Sequence, residues 1–226
     1  MQLTYLGQSG ILVIVNGKKL LFDPFITGNP LAKDIDPSKI EADYILVSHG
    51  HGDHIADVVP VAKRTGAKVI SSPEVSGWLS NQGLNNLHEL NHGGPVPFDF
   101  GELRAVNAIH SSSLPDGTYG GNPLGFIITS ANGNFYFAGD TALTLDMQLI
   151  PLFTALNFAV LPIGGNYTMG VNDAVIASDF IKCNTIVGVH YNTFDIIKID
   201  TDAAVSAFTK NGKTLLLPKA GETITV

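Results

Sequence analysis

Residues 48–55 read SHGHGDHI, directly after the apolar run DYILVS. Three of the chain's seven histidines and one aspartate fall in this short stretch, interleaved with glycines. A short, continuously apolar run is the mark of a buried strand. A strand that ends in a glycine-containing loop can turn neighbouring side chains onto one point, where a helix would fan them apart. Gly50 and Gly52 supply the backbone freedom for those bends. The fold must therefore bring the end of a buried strand to a place where His49, His51, Asp53 and His54 can converge.

The pattern around this junction defines the rest of the architecture. LTYL and ILVIV open the chain, and an Asn-Gly turn between ILVIV and KLLFD predicts a hairpin. Residues 27–42 are polar, carry two prolines and read as a loop or short helical excursion. IADVVPVAKRTG has helical apolar spacing, with Gly66 as its C-cap. KVISS and NLHEL read as strands flanking a helix in PEVSGWLSNQG. VPFDFG, ELRAVNAI, LGFIITS and NFYFAG form a second strand-rich region, closed by the ANGN turn. The final third alternates: a helix near 145–154, the strand FAVLPI, a helix over 172–182, the strand TIVGVH, a helix over 201–210 and the strand TLLL. A meander followed by β/α units, in each half, predicts one α/β domain over residues 1–226. Its architecture is a four-layer α/β/β/α sandwich with an internal echo between the halves.

Neutral imidazole and carboxylate are donors for zinc and similar transition metals. His49 and His51, at alternate positions, can address one ion, and Asp53 and His54 can turn to a second. Three further residues share the same topological situation, after an apolar run and before a polar loop. His110 ends ELRAVNAIH, Asp140 ends NFYFAGD and His190 ends TIVGVH. Taken singly, His110 and His190 would read as satisfied core histidines, and Asp140 as a helix N-cap before TALTLDM. Their shared placement is what marks them as ligands. His88 and His92 lack such company and read as structural. Cys183 reads as a buried apolar residue, and Trp78 as core.

The H-x-H-x-D-H run, the later lone histidine, GDT and the final histidine resemble the metallo-β-lactamase fold superfamily, from TYLGQSG to the last strand. FDPFITGNP, DYILVSHGHGDH, LPIGGNYTMG and HYNTF further resemble a branch of small stand-alone metal-dependent hydrolases similar to ascorbate-6-phosphate lactonases. The resemblance implies that His49, His51 and His110 hold one metal, that Asp53, His54 and His190 hold another, and that Asp140 bridges them. The chain departs from the branch in two places. Gln8 stands where many members have His, and Asp195 where many have Pro.

The expected activity is hydrolysis by a dinuclear centre, with a metal-bridging hydroxide oriented by the catalytic Asp53. The substrate is a small ester, lactone, amide or phosphodiester. Two divalent ions are expected, zinc first, with manganese, iron and nickel fitting the same donors. Ser111, Asn166, Tyr167, Asn192 and Lys198 lie beside ligand positions and are the substrate-binding candidates. The only arginines, Arg64 and Arg104, lie outside every motif, so no bidentate phosphate clamp is evident. Three rivals stay open: an iron-dependent oxidoreductase on the same fold, an RNA-processing nuclease and a non-catalytic metal-binding protein. A formal charge of −7 weighs against nucleic acid. One cysteine permits no internal disulfide, and no run approaches the length of a membrane span. MQLTYLGQSG has neither the basic start nor the apolar core of a signal peptide. The expectation is a soluble cytoplasmic protein with a small-molecule substrate and no membrane or nucleic-acid partner, homo-oligomerisation staying open.

Overall fold

In the computed structural model, which describes residues Met1–Val226, two seven-stranded sheets pack against each other. The first is built from β1 (Gln2–Gly7), β2 (Gly10–Val15), β3 (Lys18–Phe22), β4 (Tyr44–Leu46), β5 (Lys68–Ser71) and β6 (Leu87–Glu89). The second holds β7 (Val96–Phe98), β8 (Gly101–Asn107), β9 (Leu124–Ser130), β10 (Gly133–Phe137), β11 (Phe158–Pro162), β12 (Thr185–Val189) and β13 (Thr214–Leu216). The last strand, β14 (Thr223–Thr225), returns to the first sheet, giving the order β14-β1-β2-β3-β4-β5-β6. The second sheet runs β13-β12-β11-β10-β9-β8-β7.

The two sheets repeat one plan. In the first, pairings from β14 to β3 are antiparallel and those from β3 to β6 are parallel. In the second, pairings from β7 to β10 are antiparallel and those from β10 to β13 are parallel. The echo between the halves is thus a repeat of topology.

Strand residues alternate between two cores, as a period of two demands of a sheet covered on both faces. In β3, Leu20 and Phe22 enter the core between the sheets, while Leu21 joins the core beneath the helices. In β10, Phe135 and Phe137 face inward and Tyr136 faces the helices of the second sheet. Phe22 lies at the heart of the inter-sheet core, with the rings of Phe137, Phe135 and Phe126 at 4.8, 5.8 and 6.3 Å. Helices α2 (Val58–Thr65) and α3 (Pro73–Asn81) cover the outside of the first sheet, after the single turn α1 (Gly52–Ile55). Helices α5 (Val171–Phe180) and α6 (Thr201–Lys210), with Ile150 of the short α4 (Ile150–Phe153), cover the second. This is the four-layer sandwich that the order of elements predicts.

Local signals act as expected. Asn16 and Gly17 both take positive φ, 48° and 77°, closing the β2–β3 hairpin, and Gly66 caps α2 in the left-handed conformation. Ser72 accepts the Val75 amide, with Pro73 at the first helical position of α3. The expected helix near 145–154 is a 3-10 turn, Leu145–Leu149, running into α4. No helix is long and apolar enough to cross a membrane.

His49 follows β4, His110 follows β8, Asp140 follows β10 and His190 follows β12. The carboxyl ends of strands near the antiparallel-to-parallel junction of each sheet therefore supply the residues of interest. Crevices at the carboxyl ends of strands where strand order switches are the usual ligand sites of open α/β sheets.

Candidate metal centre

The SHGHGDH loop leaves β4 and winds into α1, whose Ile55 is anchored in the helix-side core. His51 occupies the N-cap position of α1, so Asp53 and His54 belong to its first turn. His49, buried, directs Nε2 to within 3.0 Å of His51 Nδ1. The His49 and His110 rings lie 5.1 Å apart, edge to face. His49, His51 and His110 offer three ligand atoms within 4.8 Å of one another. Asp53, His54 and His190 form a second such group. Asp140 lies between the two. Its Oδ2 is 3.0 Å from His190 Nε2, 3.3 Å from His54 Nε2 and 3.6 Å from His110 Nε2. All seven predicted ligand positions therefore meet in one place. The N-cap reading of Asp140 fails: the following 3-10 turn is capped by Thr144, which accepts the Asp146 amide.

A further aspartate organises the cluster. Asp23, fully buried after β3, accepts the Ser48 amide at 2.7 Å and the Ser48 hydroxyl at 2.5 Å, and pairs with His54 Nδ1 at 2.8 Å. Ser48 Oγ in turn lies 2.9 Å from His49 Nδ1. Asp23, His49 and His54 also lie close enough to form a ligand group of their own. Asp23's oxygens are already engaged by Ser48 and His54 Nδ1, so its place is behind the histidines, orienting them. Sequence reasoning missed Asp23, although the strand-end criterion that found Asp140 applies equally to KLLFD. Asp57 was missed too. It binds the Ile26 and Thr27 amides and the Thr27 hydroxyl, pinning the loop after Asp23.

Gln8 closes the site from the β1–β2 turn. Nε2 donates to Asp53 Oδ2 at 2.9 Å, and the Gln8 carbonyl accepts the His190 amide at 2.8 Å and the Tyr5 hydroxyl at 3.1 Å. Ser9 Oγ donates to Asp140 Oδ1 at 3.4 Å. Gln8, Asp23 and His190 all sit in the left-handed region, with φ of 53°, 42° and 55°. Such backbone is costly for residues with a Cβ and concentrates where a site over-determines it.

The electrostatics follow from burial and charge. Burial, reinforced by His54, holds His49 well below the ordinary imidazole range. Burial also lowers His51 and His110. In His54 burial opposes the charged form, but Asp140, Asp23 and Asp53 outweigh it and raise the imidazole well above its usual range. Burial likewise works against an ionised Asp140, and His54 with His190 overcomes it, holding the carboxyl well below the usual range.

This donor set fits metal ions. His54 Nε2, which faces Asp53 and Asp140, is buried without a hydrogen-bond partner. Asp23, Asp53 and Asp140 have ion-pairing partners only among the histidines, none among Lys or Arg. Negative charge on the buried Asp23 and Asp140 needs a cation nearby. A pair of imidazole nitrogens facing each other at 3.0 Å needs either a proton or a shared cation between them.

A cavity of about 530 Å³ opens above the cluster. Of the substrate-binding candidates, Ser111 and Tyr167 line it, and Ser111 Oγ lies 3.2 Å from His51 Nε2. Asn166, Asn192 and Lys198 do not. Asn192 folds back to accept the Ile199 amide at 2.8 Å, and Lys198 is exposed and paired to Asp195 at 2.7 Å. Phe194 and Ile196, which sequence reasoning passed over, stand in the wall instead. His88 packs edge-on against Phe98 at 5.1 Å and His92 Nε2 lies 3.1 Å from the Pro123 carbonyl, both away from the cluster. Cys183 is buried, and burial pushes its thiol up. Trp78 is only partly buried, and its indole donates to Asp116.

The arrangement has known counterparts. The model of the beta-lactamase superfamily domain matches residues 18–191. A UPF0173 metal-dependent hydrolase of Flavobacterium johnsoniae is 52% identical over 224 residues, 99% of each chain. One from Christiangramia forsetii is 51% identical over 225 residues, again 99% of each. Among solved structures, Igni18, a metallo hydrolase from the hyperthermophilic archaeon Ignicoccus hospitalis, superposes with a TM-score of 0.88 at 34% identity, covering 99% of this chain and 97% of that one.

Proposed function

The chain belongs to the UPF0173 metal-dependent hydrolases of the metallo-β-lactamase superfamily, and from that membership we propose a dinuclear hydrolase acting on a small ester, lactone, amide or phosphodiester. His49, His51 and His110 would hold one ion and Asp53, His54 and His190 the other, with Asp140 shared. The observation that carries this reading is the placement of Asp140 Oδ2 within 3.6 Å of histidines from both groups. Zinc is the first choice for such donors, with manganese, iron and nickel compatible.

Bound ions of this kind lower the pKa of water to about 7 and polarise an acyl or phosphoryl oxygen. The chain's own residues supply the rest. Asp53 is partly open to the cavity, and Gln8 engages one of its oxygens, which fixes the carboxylate's orientation. Asp53 would orient the attacking water and take its proton, then return that proton to the departing oxygen or nitrogen. Asp23 would keep His54 and, through Ser48, His49 in the ring orientation that presents Nε2 to the centre. Ser111 and Tyr167 line the cavity, and their hydroxyls would donate to polar atoms of the substrate.

A panel of small esters, lactones, amides and phosphodiesters, run with chelated and with zinc- or manganese-loaded protein, tests the reading. Turnover of at least one class should appear only with metal and vanish in Asp140→Asn. Turnover that survives chelation, or no turnover of any class by fully loaded protein, would contradict it.

A further inference from the structure

The upper part of the cavity is unlike its floor. Above the histidines and carboxylates stand Tyr167, Phe194 and Ile196, which are 56%, 40% and 56% exposed. These large side chains, apolar but for the Tyr167 hydroxyl, are held toward water by braced loops. Phe194 stacks on Phe25 with ring centroids 6.5 Å apart. Its loop is pinned by the wholly buried Ile197, whose amide bonds the Phe194 carbonyl at 3.1 Å and whose carbonyl accepts the Asn192 amide at 3.0 Å. The Tyr167 loop is closed by the Gly165 amide on the Met169 carbonyl at 2.9 Å, and Met169 is in turn bonded to Thr141, next to Asp140.

No lysine or arginine lines the cavity. Lys198, the nearest basic residue in sequence to Phe194 and Ile196, is paired with Asp195. Arg104 lies over the Phe153 ring at 4.2 Å, and Arg64 pairs with Glu41. An anionic group extending away from the reacting centre would meet apolar carbon, with no cation to offset its desolvation. An uncharged alkyl or aryl group would bury its surface there favourably.

We propose that this wall selects an uncharged acyl substrate whose alkyl or aryl group lies on Tyr167, Phe194 and Ile196, and that it disfavours substrates with a distal carboxylate or phosphate. The inference rests on the hydrolase reading and assigns that site its substrate class. Specificity then comes from the wall and reactivity from the floor, as in sites where a few polar groups fix orientation against apolar lining.

The test uses zinc-loaded protein and 4-nitrophenyl esters of acetate, butyrate and hexanoate, with the monoester of adipate as the charged counterpart of hexanoate. The expected result is a rise in kcat/KM of about fourfold per added methylene, the equivalent of about 0.8 kcal/mol, and a fall of at least tenfold for the adipate monoester. Phe194→Ala and Ile196→Ala should flatten the chain-length series while leaving zinc content unchanged. A flat series in the unaltered protein, or equal or better turnover of the charged ester, would overturn the proposal. If no ester is turned over, the ester branch of the hydrolase reading fails. Calorimetric binding of 2-octanone and of its terminally carboxylated analogue, 7-oxooctanoate, then decides the wall separately. Binding of 2-octanone that weakens in Phe194→Ala upholds the wall assignment. Absence of 2-octanone binding, or stronger binding of 7-oxooctanoate that Phe194→Ala leaves unchanged, overturns it.

Discussion

Asp23 accepts from Ser48 twice and holds His54 Nδ1, so one carboxylate sets the orientation of two imidazoles. Asp23→Asn keeps the shape but replaces one acceptor oxygen with a donor, which faces either the Ser48 hydroxyl or His54 Nδ1. Outer partners of metal-ligating histidines are worth roughly 10–100-fold in metal affinity or activity. Competition with a chromogenic chelator should therefore show zinc held about 10-fold or more weakly in Asp23→Asn, with the folded state retained. Unchanged affinity would show that Asp23 does not orient the histidines for metal. Gln8→Leu makes a smaller test. It removes the donor to Asp53 Oδ2 while keeping a non-glycine residue at φ 53°. It should weaken zinc binding, and the carbonyl that holds the His190 amide should remain in place. At this scale the seven residues that converge could be picked out because ligand-type residues crowd in SHGHGDH and recur at strand ends. Asp23 ends the apolar run KLLFD as Asp140 ends NFYFAGD, so the same signal was present there and was passed over.

Elements carry these residues to the site, and close backbone contacts fix their paths. Gly164, just beyond β11, lies against the carbonyl of His190, and a Cβ there would collide with it. Gly164→Ala should therefore displace the loop after β12. The expected cost is about 1–3 kcal/mol, the range for overpacking, together with reduced metal content at the His190 position, measured by thermal melting and metal analysis. An alanine variant as stable as the parent, with full metal content, would show that the loop yields freely. The strands and most helices were legible from apolar periodicity and from Asn-Gly, Gly and Pro punctuation. β14 was not: three residues, Thr-Ile-Thr, make too short a pattern, and only pairing with β1 makes them a strand. The candidates Asn192 and Lys198 failed for another reason. Closeness in sequence to His190 says nothing about side-chain direction, and both turn to partners within their own loop.

For the whole molecule, the repeated plan of the sheets places two aspartates in equivalent positions. Asp23 follows the last antiparallel strand of one sheet and Asp140 that of the other. One orients the histidines from behind and the other lies among them. The cluster therefore draws on both sheets, and ions bound there would tie the halves together. A ligand that binds only the folded state at about 1,000 times its Kd adds about 4 kcal/mol. For a chain of this size each kcal/mol is worth about 2–4 °C. Full chelation should thus lower Tm by about 8–16 °C, and re-addition of zinc should restore it. An identical melting curve with and without metal would mean that the cluster does not bind it tightly. On the dinuclear reading, seven side chains form two coupled sites around Asp140. Metal per chain, measured by plasma mass spectrometry after zinc loading and gel filtration, tests it most directly. Two coupled sites should give about two ions in the unaltered protein, about one in His190→Ala, and loss at both positions in Asp140→Asn. One ion in the unaltered protein under saturating zinc, or full occupancy in Asp140→Asn, would contradict it.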